Sequence, residues 1–186
     1  CGYPVASDLT GSKIYDYATR ERFYDADSKS EVLPIKWGKD HEPDAILDFK
    51  HRNPEFELIR PGLIYHPFKS YIAATFDGIV YHNNKLYGLE CKCPFNQFIP
   101  QDPQDIKPST LIQVQVQLAC SLLDEAFIHI WSPDSSATFL LPRHEAFIDA
   151  IETATTEFKE RLDAGTKQKV YKIPHDIKVL LPKLIK

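Results

Sequence analysis

The chain has 186 residues, of which 43% are hydrophobic and 12% aromatic, and its formal net charge is −4. This length suits a single domain with a substantial core, and the composition excludes a disordered chain. The mild negative charge neither supports nor excludes an enzyme of nucleic acids, because bound metal and a local basic groove can hold phosphate. No apolar run is long enough for a membrane helix, and no secretory signal pattern opens the sequence.

The predicted elements mix helices and strands. In chain order they are helices at 8–23 and 37–50, β-like runs at 56–66 and 70–75, a hairpin of strands at 77–82 and 86–93, a loop at 96–108, a helix at 110–123, strands at 126–131 and 137–141, and a helix at 143–162. Pro43 is awkward in the interior of the second helix but tolerable in a first turn, where it would fall if Asp40 is the N-cap. The pattern predicts an α/β fold with a central mixed sheet flanked by helices.

We expect one domain over residues 1–186, with a core at about 2–163 and a basic C-terminal extension at 164–186. The extension is interpreted as a solvated or docked arm, with a phosphate-contacting or subunit-contacting role as the alternative. The four cysteines are too few and too irregularly spaced for a disulfide scaffold, which favours a reducing cytosol.

The most informative stretch is the second strand of the hairpin, which reads Leu-Glu-Cys-Lys-Cys-Pro. Because side chains alternate along a strand, Glu90 and Lys92 lie on one face while Cys91 and Cys93 lie on the other. Asp77 begins the neighbouring strand, and an Asn-Asn pair forms the turn between them. Two carboxylates and an ammonium therefore converge, as in a divalent-metal site that hydrolyses phosphodiesters.

Each of these signals also has an ordinary structural explanation. A Glu-x-Lys triplet on a strand is more often a solvated face with a weak ion pair. Glu42 is, by spacing alone, more often an exposed helix acid. Of the three glutamines in the helix at 110–123, Gln113 and Gln117 share a face while Gln115 points elsewhere, and such a face can simply be solvated.

Together these residues resemble the phage lambda exonuclease family, also called YqaJ-type viral recombinases, within the PD-(D/E)xK nuclease superfamily. Phe76 stands where this family has proline. The segments that carry the resemblance are Gly-Tyr-Pro-Val-Ala-Ser at 2–7, Trp-Gly-Lys-Asp-His-Glu-Pro-Asp-Ala at 37–45, Ala-Thr-Phe-Asp-Gly at 74–78, Gly-Leu-Glu-Cys-Lys-Cys-Pro-Phe at 88–95 and Gln-Val-Gln-Val-Gln at 113–117. The resemblance implies a restriction-endonuclease-like core.

The resemblance also implies the metal site. Asp77 and Glu90 would bind Mg²⁺, or Mn²⁺ in its place, with help from the backbone carbonyl of Cys91. Lys92 would orient or deprotonate the attacking water and offset developing charge.

Further roles follow from the same resemblance. Glu42 would lie near the metals through water, and Gln113 would form a hydrogen bond in the same site. Ser7 and Thr75 occupy the positions of hydroxyls that recognise a 5′ phosphate.

The implied function is metal-dependent 5′→3′ digestion of double-stranded DNA, which leaves a 3′ single strand for recombination. A homotrimer around DNA and a single-strand annealing protein as partner are implied by analogy. A phage enzyme would work in the bacterial cytoplasm, and one from a eukaryotic virus in the nucleus. The alternatives are an endonuclease or nickase on the same fold, or a nucleic-acid-binding domain without catalysis.

Overall fold

A computed structural model of the chain describes residues 33–164, 175–180 and 184. Ser7 and the predicted helix at 8–23 lie outside the described residues. The elements, in chain order, are α1 (Leu33–Arg52), β1 (Glu57–Ile59), β2 (Ile64–Tyr65), β3 (Ala73–Ala74), β4 (Gly78–His82), β5 (Lys85–Lys92), a short 3₁₀ turn (Pro103–Asp105), α2 (Pro108–Ser121), β6 (Glu125–Ser132), β7 (Ser135–Pro142), α3 (Glu145–Asp163) and α4 (His175–Leu180).

The main sheet has five strands in the order β1-β4-β5-β6-β7, and β2 pairs with β3 in a separate ribbon. Strands β5 and β6 are parallel, whereas the other neighbours in the main sheet are antiparallel. Asn83 and Asn84 have φ angles of 49° and 61°, which a tight hairpin turn between β4 and β5 requires. The predicted hairpin and the α/β fold with a central mixed sheet are both confirmed.

Helices cover both faces of the sheet. The buried apolar residues of α1 pack on one face, against Val80, Leu89 and Cys91. The residues of α2 and α3 pack on the other face, against Ala126 and Ile128 of β6. A parallel pair needs a crossover connection, and here α2 forms part of the crossover from β5 to β6. This crossover brings α2 to the face that carries Glu90, whose parallel-strand neighbour is Ile128.

Helix α1 begins earlier than the sequence predicts. Because the helix starts at Leu33, Pro43 lies in its interior rather than in its first turn. Asp40 is likewise inside the helix, where it forms an ion pair with Lys36 one turn earlier, so it is not the N-cap. Proline removes one backbone donor, and tertiary packing of Ala45, Ile46 and Phe49 compensates for that loss.

Part of the basic C-terminal extension packs on the domain. Ile177 and Leu184 are almost fully buried within the cluster that also contains Phe147 of α3. The role of the extension, including any contact with DNA or another subunit, stays a prediction. Among the described helices, none is both long and apolar enough to cross a membrane.

Gly88 lies directly beneath the ring of Phe76. A Cβ at position 88 would lie 2.3 Å from the nearest ring atom, and Phe76 is only 2% exposed, so the ring has little room to move. We expect Gly88→Ala to lower the free energy of unfolding by about 1–3 kcal/mol, the usual cost of overpacking. Urea unfolding followed by circular dichroism measures this change.

The matched control is Gly38→Ala in α1, where no described atom lies within 4 Å of the added Cβ. This change should raise stability by up to about 1 kcal/mol, because alanine is the better helix former. Replacing Phe76 with leucine in the Gly88→Ala background should restore part of the loss. Equal stability of Gly88→Ala and the wild type would contradict the close packing.

Candidate active site

Glu90 lies at the centre of the site, on β5, and its side chain is only 3% exposed. Its Oε1 accepts hydrogen bonds from Lys92 Nζ at 2.5 Å and from Gln113 Nε2 at 2.6 Å. Its Oε2 accepts a hydrogen bond from Gln117 Nε2 at 2.6 Å. A buried carboxylate is costly unless it is paired and hydrogen-bonded, and these donors satisfy that condition.

Asp77 lies just before β4, which pairs with β5, the strand that carries Glu90. Its Oδ2 accepts a hydrogen bond from the backbone N–H of Cys91 at 2.7 Å. Burial, followed by the negative charges of Glu90 and Glu42, raises the pKa of Asp77 to about 7, although the hydrogen bond from Cys91 opposes this shift. The site thus concentrates more negative charge than its own cation offsets.

Lys92 supplies that cation. Its Nζ also donates to Gln113 Oε1 at 3.0 Å, so the ammonium lies between a carboxylate and an amide oxygen. The side chain is 34% exposed, whereas that of Glu90 is closed off. Lys92 can therefore reach both the buried carboxylate and a molecule that approaches from solvent.

Glu42 reaches the site from α1, on the other side of β5. The thiol of Cys93 donates to the backbone carbonyl of His41 at 3.3 Å, which joins α1 to the end of this strand. Burial, followed by the charge of Glu42, raises the pKa of Cys93 to about 11. The charge of Glu42 also acts on Asp77, so the half-buried Glu42 contributes to the field of the site.

The glutamines of α2 divide as their spacing predicts. Gln113 and Gln117 both bond to Glu90, whereas Gln115 donates to the carbonyl of Pro142 and accepts from the backbone N–H of His144. Sequence reasoning selected Gln113 alone as a site residue and missed Gln117. The signal was present, because residues four apart on a helix share a face.

Two other predicted site positions are Thr75 and the backbone carbonyl of Cys91. Thr75 is exposed, two residues before Asp77, and its backbone carbonyl accepts a hydrogen bond from Gln117 at 2.7 Å. The predicted phosphate-binding role of the Thr75 hydroxyl stays a prediction. The predicted role of the Cys91 carbonyl in metal binding also stays a prediction, since it is the N–H of Cys91 that contacts Asp77.

The donor chemistry of the site fits a hard divalent cation. Asp77, Glu90 and Glu42 offer oxygen ligands, and burial together with the charges of Glu90 and Glu42 raises the pKa of Asp77. Mg²⁺ and Mn²⁺ bind such oxygen ligands and often keep several waters. Within the part of the chain that the structure describes, no three His, Cys, Asp or Glu side chains already surround one point. A bound ion would therefore complete its ligand set with water or backbone oxygen.

Residues 6–124 match the YqaJ-like viral recombinase domain. The chain belongs to this family. The resemblance seen in the sequence is thereby confirmed. The match includes the hairpin and both glutamines that bond to Glu90, so the site described above lies within the family domain. No curated protein sequence matches the chain.

Solved structures support the fold of this YqaJ-like domain. The alkaline exonuclease LHK-Exo from Laribacter hongkongensis is 23% identical, with a TM-score of 0.61, over 83% of this chain and 75% of that chain. The structure of LHK-Exo in complex with dAMP has a TM-score of 0.62 at the same identity and coverage. At this level of identity the likeness shows a shared fold.

The raised pKa of Asp77 predicts how stability depends on pH in EDTA. The folded state holds the Asp77 proton more tightly than the unfolded state, in which the carboxyl has its ordinary value of 3.8. The contribution of Asp77 to stability therefore falls as pH rises from about 4 to about 7. We expect Asp77→Asn to be more stable than the wild type at pH 8, with a smaller advantage at pH 5.

Urea unfolding at both pH values measures this difference. The control is Asp134→Asn in the turn between β6 and β7, where the side chain is exposed. That change should shift stability equally at the two pH values. A wild type as stable as Asp77→Asn at pH 8 would show that the folded state does not hold the Asp77 proton more tightly than the unfolded state.

Proposed function

We propose that this YqaJ-like domain is a metal-dependent nuclease that hydrolyses double-stranded DNA from 5′ ends and leaves a 3′ single strand for recombination. The observation that carries the proposal is the contact of Lys92 with the buried carboxylate of Glu90, beside Asp77 with its raised pKa. Membership of a viral recombinase family and the fold shared with an alkaline exonuclease support a nuclease role.

In this proposal Asp77 and Glu90 hold Mg²⁺ or Mn²⁺, with the carbonyl of Cys91 as a further oxygen donor. A bound divalent ion would supply Lewis-acid stabilisation of charge on the phosphate and lower the pKa of water. The excess negative charge of the site supports this assignment, because a cation would relieve it.

The side chains around the carboxylates have separate tasks. Lys92 orients or deprotonates the attacking water and offsets the charge that develops on the phosphate. Gln113 holds the ammonium through its Oε1 while its Nε2 bonds to Glu90, so it fixes the relative position of both groups. Glu42 adds negative charge from the side of α1 and acts through water.

In this proposal, side-chain hydroxyl groups bind the 5′ phosphate and so give a preference for a 5′ end. Thr75 lies two residues from Asp77 and is exposed, which suits contact with a terminal phosphate close to the scissile bond. Ser7 would serve the same phosphate. A homotrimer around the duplex and a single-strand annealing partner belong to the same proposal.

Removal of the Lys92 ammonium tests the chemistry. We expect Lys92→Ala to lower the rate of linear-duplex hydrolysis in Mg²⁺ by at least about 10²-fold, the scale for a lost acid–base group. The far-ultraviolet circular dichroism spectrum should stay unchanged, because Lys92 is at the end of β5 and partly exposed. Release of acid-soluble nucleotides measures the rate.

The matched control is Lys85→Ala at the other end of the same strand, where the ammonium pairs with Glu125. This variant should cut DNA at close to the wild-type rate. Near-normal hydrolysis by Lys92→Ala would remove Lys92 from the mechanism. An inactive wild type that still binds duplex DNA would favour the non-catalytic alternative.

DNA topology and end chemistry test the proposed substrate. Linear duplex with a 5′ phosphate should be digested faster than the same duplex with a 5′ hydroxyl, and closed circular DNA should resist, because the proposed site begins from an end. Gel analysis of end-labelled substrates measures all three. Cleavage of the closed circle would instead support an endonuclease or nickase on the same fold.

A further inference from the structure

Gln117 is the second glutamine of α2 that bonds to Glu90. Its side chain is on α2 and is 1% exposed. Its Nε2 donates to Glu90 Oε2 at 2.6 Å and to the backbone carbonyl of Thr75 at 2.7 Å. A carboxamide nitrogen carries two N–H donors, so both are used. One side chain thus connects β5 to the segment that leads into Asp77.

The hydrogen bonds to Glu90 are distributed unevenly. Oε1 accepts from both Lys92 and Gln113, whereas Oε2 accepts from Gln117. A carboxylate has about four lone-pair sites, two on each oxygen. Counting the described donors, the remaining acceptor capacity of Glu90 lies on Oε2. Gln117 therefore orients the oxygen that is still able to bind a cation.

The link to Thr75 acts on the second carboxylate. Asp77 is two residues beyond Thr75, so the hydrogen bond to the Thr75 carbonyl holds the backbone that leads into Asp77. Metal ligands are kept at a fixed separation by the hydrogen bonds that surround them. By bonding to Glu90 and to the Thr75 carbonyl at once, Gln117 limits that separation.

The position of Gln117 has a cost. Its Oε1 is buried and has no hydrogen-bond partner among the described residues. Rotating the amide by half a turn would place this oxygen against two acceptors, Glu90 Oε2 and the Thr75 carbonyl, so the assigned orientation is the favourable one. An unpartnered buried acceptor is rare and calls for an explanation beyond packing.

We propose that Gln117 is a positioning residue that holds Glu90 and the Asp77 segment in the arrangement that binds the divalent cation. This inference rests on the proposed function, since it concerns the same metal site. Gln117 acts through Glu90 and does not itself touch metal or DNA. Residues that orient metal ligands in this way typically contribute 10- to 100-fold, roughly, to metal affinity.

The test replaces Gln117 with methionine, which has a similar volume but no N–H donor. Isothermal titration of the metal-free 186-residue chain with Mn²⁺ should give a dissociation constant for Gln117→Met that is roughly 10- to 100-fold larger than that of the wild type. In DNA hydrolysis, the Mn²⁺ concentration for half-maximal rate should rise by a similar factor, with most of the rate recovered at saturating Mn²⁺. A role in folding alone would lower the rate equally at every Mn²⁺ concentration.

The matched control is Gln115→Met, on the same helix and fully buried, whose amide bonds to Pro142 and His144 instead. This variant should lose thermal stability but keep the wild-type affinity for Mn²⁺. Gln117→Ala is the second variant, should methionine prevent folding. Both are titrated well below their melting temperatures.

The outcomes separate this inference from the proposed function. Wild-type affinity for Mn²⁺ in Gln117→Met, together with loss of binding in Glu90→Gln, would overturn the inference and leave the metal site intact. An equal loss of affinity in Gln115→Met would also overturn it, because the effect would then be one of general packing. Absence of Mn²⁺ binding by the wild type would overturn both proposals.

Discussion

The buried carboxylate of Glu90 is the constraint on which the rest of the site depends. A carboxylate that is 3% exposed must receive hydrogen bonds, and of its donors among the described residues Lys92 alone comes from the same strand. The others, Gln113 and Gln117, come from α2, which belongs to the crossover that a parallel pair of strands requires. The helix of this crossover therefore also supplies hydrogen-bond donors to the buried carboxylate.

The site also gathers negative charge, which lowers the stability of the metal-free protein but suits the binding of a cation. Burial and two neighbouring carboxylates raise the pKa of Asp77, so its ionised form is held at a cost in the metal-free protein. Perturbed carboxyl groups of this kind cluster at functional sites. The structure opposes the repulsion locally, through the hydrogen bond from the Cys91 N–H and through the link from Gln117 to the Thr75 carbonyl. Both bonds join the segment that carries Asp77 to its neighbours on β5 and α2.

Local patterns in the sequence predict the features that depend on neighbours along the chain. The hairpin, the opposite faces of Glu90 and Cys91, and the shared face of Gln113 and Gln117 follow from strand and helix periods. Features that depend on distant packing escape such reasoning. The helix continues through Pro43 beside the buried Ala45, Ile46 and Phe49, and the Gln117 oxygen has no hydrogen-bond partner among the described residues; neither feature follows from local periodicity.

The position of Glu42 depends on a contact that no motif contains. Helix α1 is held to the edge of the sheet by Asp48, whose Oδ2 accepts a hydrogen bond from Ser136 Oγ at 2.7 Å, while Arg52 Nε, within the same helix, donates to this oxygen at 2.8 Å. Ser136 is on β7, the last strand of the sheet, so the two ends of the contact are far apart in sequence. The thiol of Cys93 joins the same helix to β5 near Glu42. The docking of α1 as a whole therefore sets how near the charge of Glu42 lies to Asp77. The motif at 37–45 places Glu42 on the helix, but the position of that helix on the sheet depends on β7 and on the end of β5.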